Sequence, residues 1–487
     1  MPEPMTTPGT TPVAEQAGAP GPAAAQPGPE SAAGTPAGPR AVVLVSALLL
    51  GVLSFQLNAS MVTPALPDIA RHFGVGADSV AQVQSLFFLA GAISGPLMGR
   101  WSDFIGRRRA LLIVIAVMAA GTVLCLVAPT LELLLAGRFL QGFSSAIFAL
   151  SYIVMQENLS RRAFGTAVGV LASVNGGVAG FDGYLGGLMT ESLGFRSIFW
   201  VILGLAAVAA VAVLRVVPAK HAQAATGRMD WWGAALLSAF LIALTYFVNA
   251  GSDAGWGSPR ALALLAATAV AFAAFILVER RRTSPLIAVH HLRSRPVWTV
   301  VACTVLTLAG IFAIMNFTIV VLSQDGEHGF GLAPSTAALL YLTPAALIGV
   351  FAAPLAGWLT ARIGWVTTLR LGSGFTLLVA ATAAVFVEDR WIVLAAVAAL
   401  GITYNGFFLT AINGLSALLS PKEAPGTLPG INGASFGIGA SLGVVLVAPA
   451  VAGAEEGGYA PALWISVAIA AAAFAVALLV PKPTSDD

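Results

Sequence analysis

Long apolar runs separated by short polar segments occupy almost the whole chain after residue 39. Each run has about 20 residues, which is the length that an α-helix needs to cross the hydrocarbon core of a bilayer. The pattern predicts an all-α polytopic membrane protein with fourteen transmembrane helices, numbered as spans 1 to 14. The expected spans are residues 41–62, 80–100, 110–128, 132–155, 164–188, 197–216, 231–250, 260–279, 297–323, 335–361, 366–386, 390–416, 426–450 and 460–481.

The composition fits this class and limits the chemistry that the chain can hold. Of 487 residues, 58% are hydrophobic and 9% are charged, whereas a soluble protein carries roughly 25% charged residues. The two cysteines, Cys125 and Cys303, lie inside apolar runs, so neither a disulfide framework nor a metal site is expected. Residues 1–39 are rich in Pro, Ala and Gly and lack apolar patterning, which predicts a disordered tail.

The positive charges predict the orientation of the chain. If the fourteen spans are correct, most of the 24 lysine and arginine residues fall on one side of the membrane. Loops rich in these residues stay in the cytoplasm, so that side is predicted to be cytoplasmic. The tails 1–39 and 482–487 then both lie in the cytoplasm, and the expected location is the cell membrane.

Two short motifs recur in the second half of the chain. Residues 96–106 share a Pro, a Leu and two Gly with residues 354–364, and the Gly-Thr-x-x-Gly of residues 165–169 returns at residues 426–430. The two pairs are separated by nearly the same length of chain, which indicates an internal repeat.

The repeat divides the chain into three parts. Residues 40–216 are predicted to form an N-terminal six-helix bundle, and residues 296–481 a C-terminal one. Residues 217–295 link the bundles and contain two inserted transmembrane helices.

A charged segment lies between spans 2 and 3, at residues 96–109. It holds one carboxylate, Asp103, followed by three arginines from Arg107 to Arg109. Because charges are costly in hydrocarbon, we expect a short loop at a membrane interface, in which a turn brings Asp103 towards the arginines. Taken alone, the arginines could be a positive-inside anchor. The repeat has Ala361 in place of Asp103, so the two segments are unequal.

These residues resemble a known family. Gly99, Asp103, Gly106, Arg107 and Arg108 are spaced as in the loop signature of the major facilitator superfamily. The fourteen spans, with the strings at residues 63–69 and 134–142, resemble its fourteen-helix drug:proton antiporter branch over about residues 40–481. The resemblance implies a major facilitator fold of 6+2+6 helices. It also implies a secondary transporter, not an enzyme, in which the loop signature is a gate latch.

The departures from that branch bear on proton coupling. Asn58 stands where the branch commonly has an acidic residue, and its GPxxGG motif begins here with Asp182. Asp182 is the only acidic residue well inside a span. We therefore expect Asp182 to carry the coupled proton, with Arg138 of the span 4 motif and Glu157 as further candidates. A structural pairing of Asp182 with Arg138 stays open.

Glycines on span 5 predict a tight helix contact. Gly176, Gly180, Gly183 and Gly187 fall on one face of a helical wheel together with Gly165 and Gly169. Such a stripe lets helix backbones approach closely. A matching stripe on span 13 contains Gly426, Gly430, Gly433 and Gly437.

In the family that the chain resembles, spans 1, 4, 9 and 12 line a central cavity. The candidate cavity residues are Asn58, Gln141, Tyr152, Asn175, Asn316, Tyr404, Asn405, Phe408, Asn413 and Asn432. An apolar pocket with few polar groups suits a small lipophilic substrate.

Three functions remain open at this stage. The first is proton-driven efflux of lipophilic or cationic drugs by alternating access. The second is a dedicated exporter of one metabolite or antibiotic, or a facilitator without proton coupling, and the third is a membrane enzyme or sensor. No ATP-binding loop motif is present. We expect protons and lipid as partners, a monomer, no nucleic acid, and no metal or cofactor beyond the proton gradient.

Overall fold

A computed structural model of the chain describes residues 39–75, 77–174, 179–219, 229–282, 293–332, 334–421, 425, 427–452 and 458–483. Every regular element in these ranges is helical, so the predicted all-α class is confirmed. In chain order the α-helices are α1 Pro39–Ser60, α2 Leu66–Phe73, α3 Ala77–Ile105, α4 Arg107–Val127, α5 Leu131–Gly142, α6 Ala146–Asn158, α7 Arg161–Ser173, α8 Ala179–Leu193, α9 Arg196–Val216, α10 Trp231–Ala254, α11 Pro259–Glu279, α12 Arg295–Thr307, α13 Ile319–Gln324, α14 Pro334–Ala337, α15 Thr343–Ile363, α16 Trp365–Val385, α17 Arg390–Leu400, α18 Leu409–Leu418, α19 Thr427–Ala452 and α20 Ala460–Leu479.

Eleven helical stretches within the described ranges are long and apolar enough to cross a membrane. They correspond to all the expected spans except 2, 5 and 13. Spans 2 and 13 are the helices α3 and α19, and span 5 is represented by α7 and α8. The total of fourteen spans stays a prediction, as do the limits of the two bundles. The predicted tail 1–39 lies outside the described residues except for its last position.

Several spans change their helical winding midway. In the first half, a 3₁₀ turn at Thr63–Ala65 follows the end of span 1, and another at Phe143–Ser145 interrupts span 4. In the second half, π-helical segments occupy spans 9, 10 and 12 at Leu308–Phe312, Ile314–Thr318, Ala338–Leu342 and Gly401–Phe408. Such segments occur frequently at functional sites because they redirect side chains from the regular 3.6-residue register.

The charged segment between spans 2 and 3 is not the loop that the sequence predicted. Helix α3 ends at Ile105 and α4 begins at Arg107, so Gly106 alone separates them. Its φ of +89° lies in the region that favours glycine. Gly364, with φ +90°, makes the same one-residue break between α15 and α16. Asp103 therefore lies in the last turn of α3, one helical turn before Arg107.

The two halves meet through the glycines of the sequence repeat. On α7, Gly165 and Gly169 lie against Gly357 and Ala353 of α15, and a β-carbon at Gly165 would be 2.6 Å from the Gly357 carbonyl oxygen. Gly430 of α19 lies against Gly95 of α3, where a β-carbon would also be 2.6 Å from a carbonyl oxygen. Backbones at this distance leave no room for a side chain.

The remaining glycines of the predicted stripes behave differently. Gly187 has room, because the nearest atom to an added β-carbon is Pro64 Cβ at 3.8 Å, and its neighbour Gly186 packs on Met61 instead. Gly433 and Gly437 have open space beside them. The stripe was thus wrong for these positions, because a helical wheel does not identify what faces it. Gly180 and Gly183 belong to α8, but their surroundings lie outside the description, as do Gly176 and Gly426.

The inserted helices α10 and α11 lie over the seam between α3 and α19. Leu241 of α10 packs with Leu89 and Ile93 of α3 and approaches Ile438 of α19. Nearer the other end, Phe275 of α11 belongs to a cluster that again joins the two halves. The insertion therefore contacts both bundles along one side of the molecule.

One contact outside the transmembrane helices ties two segments of the second half. The Tyr459 hydroxyl donates to Asp325 Oδ2 at 2.7 Å. This hydrogen bond, with backbone donors at Glu327 and His328, lowers the pKa of Asp325. Burial and the same hydrogen bond raise the pKa of Tyr459 to about 12.

Candidate functional site

A cavity of about 850 Å³ lies between the two halves. It is lined by spans 1, 4, 9 and 12, as expected, and also by α3, α19 and the segment around Leu342 and Ala346. Val248 of the inserted α10 completes one wall. The 3₁₀ and π-helical segments contribute Thr63, Ser145 and a larger group in the second half. The breaks in helical winding thus coincide with the cavity.

Most of the predicted cavity residues are in its wall. They are Tyr152, Asn316, Tyr404, Asn405, Asn413 and Asn432. Asn58, Gln141 and Phe408 were placed there wrongly. Asn58 and Gln141 are buried around Arg138, and Phe408 stacks flat behind Tyr404 with ring centroids 6.0 Å apart. Asn175 lies outside the described residues.

The phenylalanines of the cavity wall were not predicted from the sequence. In the first half, the cavity is lined by Phe55, Phe87, Phe88, Phe148 and Tyr152. Phe55 stacks on Phe87 at 5.7 Å and meets Phe148 edge-on at 5.4 Å. On α1, a signal for this face existed: Phe55, Ala59 and Thr63 recur at four-residue intervals. That face points away from Asn58.

Amide side chains line the opposite wall. Asn316, Asn405, Asn413 and Asn432 all belong to the second half. The Thr304 hydroxyl donates to Asn432 Oδ1 at 2.6 Å, and Asn432 Nδ2 donates to Asn413 Oδ1 at 3.1 Å. Among the described residues that line the cavity, none carries a formal charge. The site therefore combines an aromatic wall with a neutral hydrogen-bonding wall.

Arg138 lies fully buried behind the aromatic wall. Its guanidinium donates to the carbonyl oxygens of Val83 and Asn58 at 3.1 Å, and to Asn58 Oδ1 at 2.6 Å. It also donates to Gln141 Oε1 at 2.9 Å and Gln84 Oε1 at 2.8 Å, and its carbon Cζ is 4.4 Å from the centre of the Phe87 ring. All these acceptors are neutral, so Arg138 joins α1, α3 and α5 without Asp182.

Asp182 is buried, at 1% exposure, and accepts a hydrogen bond from the Ser60 hydroxyl. Ser60 also lines the cavity. The carboxylate therefore lies one hydroxyl group behind the cavity wall, at the end of α1 that the orientation prediction places outside.

Glu157 lies in a different place, within the charged cluster that includes Asp103. Arg107 donates to Asp103 Oδ1 at 2.6 Å and to Glu157 Oε1 at 3.0 Å. Arg100 donates to Asp103 Oδ2 at 3.1 Å. We call Arg100, Asp103, Arg107 and Glu157 the Asp103 network. The three predicted coupling residues thus lie in three separate environments.

The other residues of the loop signature support this network. The Ser102 hydroxyl donates to the Gly99 carbonyl at 2.6 Å and receives a hydrogen bond from Arg107. Arg108 donates to the carbonyl oxygen of Leu214 on α9. The signature therefore joins α3, α4, α6 and α9 at one end of the first half.

Comparisons with known proteins agree with this architecture. The family model of the Major Facilitator Superfamily matches residues 48–444 and, in a second match, residues 306–487. The chain is 35% identical over 456 residues to a uridine/deoxyuridine transporter of Lactococcus lactis subsp. cremoris, covering 90% of this chain and 94% of that protein. It is 29% identical over 413 residues to the multidrug resistance protein Stp of Mycobacterium tuberculosis, covering 83% of this chain and 74% of that protein. Among solved structures, the human organic anion transporter MFSD10 is similar with a TM-score of 0.65 at 15% identity, covering 90% of this chain and 100% of that one.

Proposed function

The chain belongs to the major facilitator superfamily, and we propose that it transports an uncharged, planar, hydrogen-bonding solute of the nucleoside class. The observation that carries the proposal is the composition of the cavity wall, which combines aromatic rings, clustered in the first half, with uncharged amides that lie mainly in the second half. The cavity volume of about 850 Å³ falls within the range of roughly 300–1,000 Å³ typical of small-molecule sites.

The aromatic wall suits a planar ring. A nucleobase placed beside Phe55, Phe87 or Phe148 would gain the offset or edge-to-face contacts that aromatic pairs prefer. The amide wall suits the polar edges of the same molecule, because each Asn offers both a donor and an acceptor.

The absence of charge from the described cavity lining disfavours a cationic substrate. The aromatic faces of the wall could offset part of a cation's lost hydration, but none of the described lining residues adds a carboxylate to them. The nearest acid that we identify, Asp182, is separated from the cavity by Ser60. A neutral solute needs no such partner. The similarity to a uridine/deoxyuridine transporter over nearly the full length of both chains also supports a nucleoside.

Proton-driven efflux of lipophilic drugs is the second candidate. It is supported by the aromatic wall and by the similarity to multidrug resistance protein Stp. Under this hypothesis the chain belongs to the fourteen-helix antiporter branch, and Asp182 exchanges the proton. In both hypotheses we propose a monomer in the cell membrane with both termini in the cytoplasm.

Transport by the purified protein in proteoliposomes tests the two functions against each other. Vesicles loaded with unlabelled uridine should take up radiolabelled uridine by counterflow, and a lipophilic cation should not compete. Phe55→Ala should reduce uptake, whereas Phe351→Ala, on the outer surface at 78% exposure, should not. Saturable transport of the cation driven by a pH gradient, without nucleoside transport, would reject the nucleoside proposal in favour of efflux.

A further inference from the structure

Two of the cavity amides have an orientation that backbone carbonyls fix. Asn405 Nδ2 donates to the Ala345 carbonyl oxygen at 3.4 Å, and Asn316 Nδ2 donates to the Phe312 carbonyl oxygen at 3.3 Å. A carbonyl only accepts, so the NH₂ groups must point towards the backbone. The oxygens Oδ1 of Asn405 and Asn316 are left as acceptors for a ligand.

Asn413 has the opposite orientation, and Thr304 determines it. The Thr304 hydroxyl is fully buried, and its one described hydrogen-bond partner is Asn432. If Asn432 were flipped, the Thr304 proton would have no acceptor among the described residues. The observed orientation gives the Thr304 hydroxyl its acceptor: Thr304 donates to Asn432 Oδ1, and Asn432 donates to Asn413 Oδ1. This bond occupies one lone pair of Asn413 Oδ1, and the NH₂ group of Asn413, which has no hydrogen-bond partner among the described residues, is available to donate to a ligand.

The two differently oriented amides stand at separate levels of the cavity. Asn405 and Asn413 lie on span 12, eight residues apart, which is about 12 Å of helix rise and somewhat less across π-helical turns. Asn413 lies nearer than Asn405 to the contact between the two halves. Its partner Asn432 is two residues beyond Gly430, where α19 packs on Gly95. A ligand lying along span 12 therefore meets an acceptor at one end and a donor beside the closed contact of the two halves.

We propose that Asn413 is a specificity-determining residue that donates a hydrogen bond to the 4-carbonyl oxygen of a pyrimidine nucleoside. The inference rests on the proposed function and adds the class of base. Position 4 of the ring is the position farthest from the sugar, so this placement brings the sugar hydroxyls towards Asn405 Oδ1. A uracil or thymine base has a carbonyl at position 4, whereas cytosine has an amino group, which would place two donors face to face.

Competition between uridine and cytidine tests the assignment. In counterflow of radiolabelled uridine, cytidine should be a weaker competitor than unlabelled uridine by a factor of about ten or more, because an unpaired donor would be left buried. Asn413→Asp keeps an acceptor for Asn432 and replaces the donor with an oxygen, so the preference should reverse towards cytidine. Thr304→Val removes the first donor of the Thr304–Asn432–Asn413 hydrogen-bond series without altering the cavity lining. Uridine and cytidine should then compete more nearly equally.

Two conservative variants control for general damage to the helix. Thr304→Ser keeps the hydroxyl and should keep the uridine preference. Thr299→Val, on the same helix, removes a hydroxyl that donates only to the carbonyls of Arg295 and Pro296, and should also keep it. If Asn413→Asp does not reach the membrane, Thr304→Val against Thr304→Ser decides the question.

The outcomes separate the two proposals. If the wild-type protein transports uridine but cytidine competes equally, or the ratio is unchanged in Asn413→Asp and Thr304→Val, the role of Asn413 is wrong and the nucleoside function stands. If the wild-type protein transports no nucleoside, both proposals are overturned.

Discussion

Ser60 joins Asp182 to the central cavity, because Ser60 lines the cavity and its hydroxyl donates to the Asp182 carboxylate. We propose that a change in the protonation of Asp182 would reach the substrate site through this hydrogen bond. A protonated carboxyl group can donate to Ser60 instead of accepting from it, and the Ser60 hydroxyl would then donate to its other acceptor, the Gln56 carbonyl oxygen at 2.8 Å.

The first prediction concerns proton coupling. Asp182→Asn should abolish proton release on substrate binding and accumulation driven by a pH gradient, while counterflow persists. Ser60→Ala should weaken the coupling, whereas Ser54→Ala, whose hydroxyl bonds only to Leu50 on the same helix, should not. The measurement is substrate-induced proton release from detergent-solubilised protein. Equal release from wild type and Asp182→Asn would place the proton elsewhere, with Glu157 as the next candidate.

The second prediction concerns the Asp103 network. Asp103→Asn removes the charge that pairs with Arg100 and Arg107 in a nearly buried setting. The loss should destabilise the conformation in which these residues are paired by about 1.5–3 kcal/mol. Transport should fall roughly tenfold or more, with normal expression. Asp68→Asn breaks the exposed pair with Arg71 and should have little effect. Normal transport rates in Asp103→Asn would contradict a role in gating.

The third prediction concerns the contact between the halves. Gly169→Leu or Gly430→Leu should prevent α7 or α19 from reaching its partner, and overpacking of this kind costs about 1–3 kcal/mol or more. Both variants should lose transport and melt at lower temperature in detergent. Gly204→Leu is the matched control, because an added side chain there meets open space. If Gly169→Leu and Gly430→Leu are stable and active, close packing at these two helix contacts is not required for transport.

The fourth prediction concerns Arg138. Arg138→Lys keeps the charge but cannot reach acceptors on α1, α3 and α5 at once, since an ammonium lacks the planar fork of the guanidinium. We expect a loss of about 2–4 kcal/mol of stability, from several unpaired buried oxygens. Thermal unfolding in detergent measures it, with the exposed Arg71→Lys as control. An unchanged melting temperature would argue that these hydrogen bonds contribute little.

The sequence predicted the helices well because a transmembrane helix must satisfy its backbone hydrogen bonds internally, which makes length and apolarity sufficient evidence. It also predicted that the glycine stripes allow close helix packing, and Gly169 and Gly430 do pack against other helices, although the sequence did not identify those partners. Both predictions depend on properties of single helices.

The cavity was only partly predictable because a polar residue in a span has two uses. Asn413 faces the cavity, whereas Asn58 and Gln141 satisfy a buried arginine. The residue type alone does not show whether a polar side chain faces the cavity or satisfies a buried charge. The aromatic wall was missed for the same reason, since Phe87 resembles any packing or lipid-facing phenylalanine until its neighbours are known.

The inserted pair α10 and α11 breaks the twofold likeness of the two halves. Its contacts with Leu89 and Ile438 close off the α3–α19 side of the cavity from the surrounding lipid. Among the described helices, no inserted pair covers the equivalent α7–α15 side. The α7–α15 side is instead closed by the helices themselves, whose backbones meet at Gly169 and Ala353. The two extra helices thus add a second layer of side chains over the α3–α19 side of the cavity.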